Sequence, residues 1–414
     1  MRTILHADAN NFYASVECIY RPELSSVPMA VTGDVDQRHG IILAKNNIAK
    51  ALGIKTGEVI WQAKQKVPDL LCLPPDYKKY LYFAKRLRNI YLDYTDQIES
   101  FGLDECWLDV TGSDKLFGCG EKIADELRQR VKVELGITLS IGVSWNKIFA
   151  KLGSDMKKPD ATTVITPDNY KDKVWVLPVE ELIYVGRSTK RRLFNYGIYT
   201  IGDLANADSV FLRKRLYKPG EMLHSFANGW DLSPVRFIGT ESVIKSVGNS
   251  TTCPRDLEND EDVQMVFTML SESVASRMRD YGFKCTGVAI HLRDNELFTF
   301  TRQCKLKRPT FISSDIIRAA MKLFKASYKW PNPLRSIGVR GIDLVSSDSH
   351  IQLSLFDTEE QQIEALETLE ITIDDIRRRF GHHKIQRASA LIDKKLTALN
   401  PKQDNVIHPV SYFA

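Results

Sequence analysis

The order of hydrophobic periods over residues 2–156 constrains this chain more than any other feature. Residues 2–8 (RTILHAD) form a short, largely apolar run of the length of a buried strand. Residues 79–95 (KYLYFAKRLRNIYLDYT) carry apolar side chains at helical spacing. Two strand-like runs follow, 97–101 and 105–110, with a turn at Gly102 between them. The pattern then predicts an amphipathic helix over 114–135, with Ile123, Leu127 and Val131 on one face. A strand at 138–143 (TLSIGV) precedes a helix ending near Met156, before Pro159. The resulting order, β-α-β-β-α-β, is the signature of a ferredoxin-like split sheet. Residues 18–76 interrupt it after the first strand and are long enough for a small subdomain.

The rest of the chain differs in texture. Residues 167–235 read as short helices punctuated by Pro178, Gly186, Gly197, Gly202 and Gly220, with Arg/Lys clusters at 187–192 and 213–218. A linker at 236–243 leads to a third unit, 244–346. Strand-like runs (286–293, 296–304, 336–344) alternate there with two amphipathic helices near 260–281 and 313–328. A tail, 347–414, opens on a polar stretch and carries one helix from 358 to about 379. The 414 residues suit roughly three units at about 150 residues each. A hydrophobic fraction of 43% is ample for their cores, and the class is α+β, multidomain. The surplus of 57 basic over 52 acidic residues is too mild to argue for nucleic acid, so charge placement must decide. Seven cysteines lie far apart without a C-x-x-C pair, which speaks against zinc or a disulfide framework and for a reducing, cytoplasmic setting. No apolar run approaches the ~18 residues of a membrane span.

The chemistry-bearing residues are carboxylates. Asp8 ends the first strand, and Asp104 and Glu105 stand at the hairpin turn. In a ferredoxin-like sheet those strands are neighbours, so three acids can converge on one edge. Carboxylates held together repel unless a cation neutralises them, and hard oxygen ligands suit Mg²⁺. Asp-Glu at a turn is also ordinary turn chemistry, and nucleotide cyclases use the same kind of palm.

Five blocks carry a more specific signal. They are Asp8–Glu17 (DANNFYASVE), Arg21–Leu24 (RPEL), Ala44–Lys55 (AKNNIAKALGIK), Leu103–Val110 (LDECWLDV) and Ile141–Pro159 (IGVSWNKIFAKLGSDMKKP). Together they resemble the Y-family translesion DNA polymerases, over residues 1–356 and in order. Their spelling looks closer to the UmuC branch than to DinB. The resemblance implies a right-hand polymerase with a ferredoxin-like palm (1–17 and 77–166), small fingers (18–76), a helical helix-hairpin-helix thumb (167–235) and an α/β little finger (244–346). It makes Asp8, Asp104 and Glu105 catalytic acids that bind two Mg²⁺ ions, with the Ala9 carbonyl as a further ligand. Tyr13 matches the steric gate under the sugar of the incoming dNTP, and Phe12 beside it packs in the palm. Asn46, Lys50 and Lys158 match nucleotide-binding positions, where cations meet the triphosphate. Lys50 stands where many relatives carry Arg, and a point charge grips phosphate less geometrically than a guanidinium.

The same resemblance assigns the basic surfaces. Leu182–Phe194 (LIYVGRSTKRRLF) is similar to the thumb's helix-hairpin-helix, two helices joined at Gly186. Backbone N–H groups there would meet a DNA phosphate, helped by Lys190, Arg191 and Arg192. In the little finger, Lys305 and Lys307 fall on one face of a strand and Leu306 on the other, with Arg302 nearby. A sheet presenting such a row suits the backbone of a polyanion. Gln352, Leu353, Leu355 and Phe356 belong to a QLSLF pentapeptide similar to the sliding-clamp-binding peptide of bacterial polymerases.

The resemblance therefore implies a low-fidelity polymerase of the DNA damage response that extends a DNA primer with dNTPs on a primer-template. No second acidic cluster suggests a proofreading exonuclease. The chain is expected to be a monomer that gains processivity from the clamp. Two competing functions are a nucleotide cyclase, which leaves the basic surfaces unexplained, and a clamp-bound DNA-binding protein whose activity requires partners. The sequence leaves open a need for a RecA- or UmuD-like accessory protein.

Overall fold

A computed structural model describes residues 1–33, 40–240, 243–349, 360–398 and 400–404. Among these, the chain forms two compact units, one from residues 1–33 and 41–240, the other from the described part of 243–404.

The first unit is built from β1 (Ile4–Ala9), β2 (Met29–Thr32), β3 (Ile42–Lys45), β4 (Leu71–Leu73), β5 (Ile98–Ser100), β6 (Glu105–Asp109), β7 (Leu139–Ser144) and β8 (Thr162–Val164). Its main sheet has the order β5-β6-β1-β7-β8. The four strands expected from the sequence take the strand order of a ferredoxin-like sheet, and β8 extends it in parallel with β7. β1 is central and buried along its length. On its two faces side chains alternate, so His6 and Asp8 share one side with their direct partners Trp107 and Glu105 on β6. The opposite face, Leu5, Ala7 and Leu108, is wholly apolar and buried. The helices Tyr77–Leu92 and Gly120–Leu135 bury Phe83, Leu87, Ile123, Leu127 and Val131.

The polar face is covered by the helix Lys147–Met156, and Gly142 makes that possible. It pairs with His6 across β1 and β7, and a Cβ there would fall 1.9 Å from the Ala150 carbonyl oxygen and 2.5 Å from the Ser154 nitrogen. Without a side chain at 142, the helix backbone lies directly on the sheet. The Asn146 side chain caps its N-terminus by accepting from the Phe149 N–H.

The interruption after β1 forms a separate small sheet, β3-β2-β4. Ala30, Ile42, Ala49, Ile54, Ile60 and Ala63 form its core with the helices Asn47–Ala51 and Ile60–Lys66. Residues 170–227 are five short helices around Val174, Leu182, Leu193, Ile201, Leu212 and Leu223. Two details depart from the sequence-based expectation. The helix predicted over 114–135 is broken into Asp114–Phe117 and Gly120–Leu135, because Gly118 takes a left-handed φ of 91°. The first arm of the predicted hairpin is a single 3-10 turn, Val179–Glu181, followed by a tight turn in which the Val185 N–H donates to the Leu182 carbonyl at 3.1 Å, before the helix Arg187–Phe194.

The second unit contains β9 (Ser246–Leu257), β10 (Phe283–Asp294), β11 (Thr299–Thr310) and β12 (Leu334–Ser346) in the antiparallel order β11-β10-β12-β9. Its element order is again β-α-β-β-α-β, but its strand order differs from that of the first sheet. The helices Asp260–Asp280 and Ser313–Ser327 bury Val266, Leu270, Val274, Ile316, Ala320 and Phe324 against it. The helix Glu360–Phe380 and the short helices Lys394–Thr397 and Pro401–Asp404 belong to the same unit.

Candidate active site

Antiparallel pairing of β1 with β6 sets Asp8 opposite Glu105, and the Ala9 N–H donates to the Asp104 carbonyl at 3.1 Å. Asp8, Ala9, Asp104 and Glu105 thus meet at one end of the sheet. Asn11, with a left-handed φ of 49°, then turns the chain into the helix Phe12–Tyr20.

Above the acids, the helix Lys147–Met156 presents charged side chains at i, i+4 and i+8: Lys147, Lys151 and Asp155. The Lys147 ammonium lies 2.7 Å from Glu99 and over the Trp107 ring. Lys151 Nζ lies 2.9 Å from Glu105 Oε2, 3.6 Å from Asp8 Oδ2 and 3.2 Å from Asp155 Oδ2. Lys158 Nζ, just past the helix, lies 2.7 Å from Asp8 Oδ2 and 2.8 Å from Asp155 Oδ1. Beneath them His6, wholly buried, contacts Ser154 Oγ through Nδ1 at 2.8 Å and faces Glu105 through Nε2 at 3.5 Å.

The electrostatics follow from this crowding. Burial raises the Asp8 carboxyl to about 7, with Glu105 adding to the effect and Lys158 opposing it. Burial and the neighbouring Glu105 raise Asp104 to about 6. Burial would raise Glu105 as well, but the His6 contact and the Lys151 ammonium outweigh it and hold this carboxyl below the usual range. Burial lowers Lys158 too, yet Asp8 and Asp155 reverse the sign and keep it above an ordinary lysine. Carboxyls raised by burial and mutual repulsion mark a place where a cation is favoured.

The nucleotide-binding candidates divide. Tyr13 stacks face to face on Tyr80, with centroids 4.3 Å apart, and meets the edge of Tyr77. Tyr80 is held in turn by its hydroxyl, which donates to the buried Glu17 at 3.0 Å. Phe12 is buried behind Tyr13. Lys50 is exposed on the helix Asn47–Ala51, near enough to Lys45 for its charge to lower that ammonium, whose pKa burial already depresses. Asn46 needs correction. Its Oδ1 accepts from the Met29 and Ala49 N–H groups, and its Nδ2 donates to the Leu24 and Val27 carbonyls. Both oxygen lone pairs and both amide hydrogens are used within the fold, so Asn46 shapes this region rather than binding nucleotide.

Of the residues expected on the thumb, Gly186 N-caps the helix Arg187–Phe194, and a Cβ added there would meet nothing. Lys190 is paired with Glu180 and lies over the Phe194 ring. Arg192 donates to the Arg215 carbonyl, tying two helices together, and Arg191 is exposed. In the second unit Arg302, Lys305 and Lys307 are exposed on the edge strand β11, while Leu306 packs against the core. Gln352, Leu353, Leu355 and Phe356 lie outside the described residues.

Three comparisons bear on this geometry. Residues 7–155 match the impB/mucB/samB family and residues 244–355 its C-terminal domain. A DNA polymerase IV of Acetivibrio thermocellus is 52% identical over 398 residues, 96% of this chain and 100% of that protein. The chain is a Y-family translesion DNA polymerase. DNA polymerase IV 1 of Bacillus subtilis is 35% identical over 94% of this chain and 93% of its own. A solved Y-family DNA polymerase chimera shares the fold, with a TM-score of 0.73 at 23% identity, covering 83% of this chain and 99% of that one. The two relatives are named DNA polymerase IV, and neither carries the name of the UmuC branch favoured by motif spelling.

The polymerase therefore acts on primer-template DNA and dNTPs, and it depends on a divalent metal. Its residues fit one. Three carboxylates supply hard oxygen donors, and Glu105 Oε2 already holds a cation, the Lys151 ammonium at 2.9 Å. Among the described residues, however, no three acidic, histidine or cysteine side chains are already gathered as a ligand cluster. The Lys151 and Lys158 ammonium groups stand between the acids instead. Sequence reasoning missed Lys151, Asp155 and His6. The four-residue spacing of Lys147, Lys151 and Asp155 was the available signal. Among the described residues, no helix is long and apolar enough to cross a membrane.

Proposed function

We propose that the polymerase copies damaged template with low fidelity and without proofreading, with Asp8, Asp104, Glu105 and the Ala9 carbonyl holding Mg²⁺. The observation that carries this is the junction of β1 and β6, where Asp8 faces Glu105 under Lys151 and Lys158. When bound, such ions lower the pKa of an attacking hydroxyl and offset charge on the leaving group. The protein's own part is placement and charge. Lys158 and Lys50 supply positive charge to the triphosphate, and Tyr13, braced by Tyr80, underlies the sugar and excludes a 2′-hydroxyl.

We assign the palm to 1–17 and 77–166, the fingers to 18–76, the thumb to 167–235, the linker to 236–243, the little finger to 244–346 and the tail to 347–414. Among the described residues the fingers carry a three-stranded sheet, a 3-10 turn and two short helices, which supports loose closure on the nascent pair. Gly186, Lys190, Arg191 and Arg192 attend the duplex on the thumb, and Arg302, Lys305 and Lys307 on the little finger. The polymerase works as a cytoplasmic monomer, recruited to a sliding clamp through Gln352–Phe356, with a RecA- or UmuD-like protein as a further candidate partner.

Primer extension past an abasic site tests the damage-tolerant part. The native chain should insert opposite the lesion and extend beyond it, and should misinsert on intact template at rates far above those of a proofreading polymerase. A complete stop at the lesion with accurate copying elsewhere would refute it.

A further inference from the structure

The acids of the active site meet two lysines and a fourth carboxylate. Lys151 touches Glu105, Asp8 and Asp155, and Lys158 touches Asp8 and Asp155. When all are ionised, the four carboxylates, Asp104 included, outnumber the two ammonium groups by two, a difference that one divalent cation would meet. Both ammonium groups sit on the oxygens a metal would need. Lys151 is well covered, with 14% of its side chain exposed, whereas Asp155 is the most open member at 37%.

We propose that Lys151 and Lys158 are stand-in cations for the metal-free site, and that Asp155 is the carboxylate to which they retire when a divalent metal takes Asp8 and Glu105. Lys151 and Asp155 are thus positioning residues, acting through the acids and through Lys158. The inference rests on the proposed metal role of Asp8 and Glu105.

Geometry favours this exchange. Asp155 lies four residues after Lys151 and three before Lys158, so all three ride on one helical turn and its exit. Asp155 already shares each ammonium group with the catalytic acids, so a small side-chain shift transfers the lysines to it. The helix itself is fixed by the close approach at Gly142. Lys158 remains beside the site after the shift and is free on its outer side for phosphate oxygens.

Competition gives two effects of opposite sign. Removing the Lys151 charge leaves Glu105 and Asp8 less neutralised, so a metal should bind more tightly. Removing the Asp155 charge throws both lysines back on the catalytic acids, so a metal should bind more weakly. One unit charge a few ångströms away in a partly solvated site corresponds to a change on the order of tenfold.

The experiment is calorimetric titration of Mn²⁺ into the full-length chain without DNA or nucleotide, with bound Mn²⁺ checked by electron paramagnetic resonance. Lys151→Met should tighten binding about tenfold, Lys151→Arg should keep native affinity, and Asp155→Asn should weaken it about tenfold. Melting curves establish that each variant is folded, and Lys151→Gln replaces Lys151→Met if the latter is not. Unchanged or weaker binding in the folded Lys151 variant, or unchanged or tighter binding in Asp155→Asn, would overturn the proposal. Primer extension by the native chain is scored separately. If it fails while Mn²⁺ affinity shifts as stated, the polymerase assignment falls and the exchange stands.

Discussion

At Gly142 a single hydrogen in place of a side chain decides whether the candidate active site can be assembled. The helix carrying Lys151 and Asp155 approaches the sheet so closely that an added Cβ would strike backbone atoms at 150 and 154. Backbone in a packed helix cannot yield as a side chain tip can, and overpacking of this kind costs about 3 kcal/mol or more. Gly142→Ala should therefore destabilise the first unit by that amount in chemical denaturation and lower polymerase activity in proportion to the displaced lysines. A loss below about 1 kcal/mol would contradict the packing. The acids themselves were legible, because Asp8, Asp104 and Glu105 fall at strand ends that the β-α-β-β-α-β order makes neighbours. His6 and Lys151 were not. A histidine inside an apolar strand and a lysine on a helix have ordinary explanations, and only the register against β6 and the close helix give them neighbours. Asn46 misled for the converse reason: a polar residue in a promising motif is spent entirely on capping and joining chain segments.

Among the elements, β9 shows why a strand can hide. Its sequence, SVGNSTTCPRDL, is rich in Gly, Ser and Thr and contains Pro254, so it lacks the apolar alternation of its neighbours. Pairing with β12 supplies what propensity does not, and Val247, Cys253 and Leu257 still reach the core. At its end Arg255 forks onto both oxygens of Asp262, each at 2.7 Å, and reaches Asp393 of the tail at 2.9 Å. Hydrogen bonds from Arg255 hold the Asp262 carboxyl below its usual range, and Asp393 is held down likewise despite some burial. Because folding lowers these pKa values, the unfolded chain takes up protons first. The stability they contribute is present above the unfolded value of about 4 and is lost as pH falls through the folded values. Thermal melting of the native chain should drop on acidification below about pH 4, and Arg255→Met should be less stable at neutral pH with a flatter acid limb. Parallel acid limbs for the two proteins would count against the network. The tail helix was predicted at nearly its observed span, yet its attachment to the second unit depends on distant partners such as Glu272 for Arg377 and Arg387, which no local pattern reveals.

At the scale of the whole molecule, the main sheets of the two units are built on the same β-α-β-β-α-β order, one gathering acids and the other presenting an edge of cations. The first was legible because hydrophobic period and motif agreed. The second was legible only in outline, since its strand order depends on the unrecognised β9. Replacing both Lys305 and Lys307 by Ala should weaken DNA binding on all sequences alike and reduce the slope of log affinity against log salt by about two. An unchanged slope would remove β11 from the DNA-binding surface. The most direct test of the account is single-turnover nucleotide incorporation on an undamaged primer-template with Mg²⁺, comparing the native chain with Glu105→Gln. Incorporation by the native chain and a loss of about a thousandfold or more in a folded Glu105→Gln variant is the predicted result. Incorporation by both at similar rates would contradict the assignment of the β1–β6 junction as the catalytic centre.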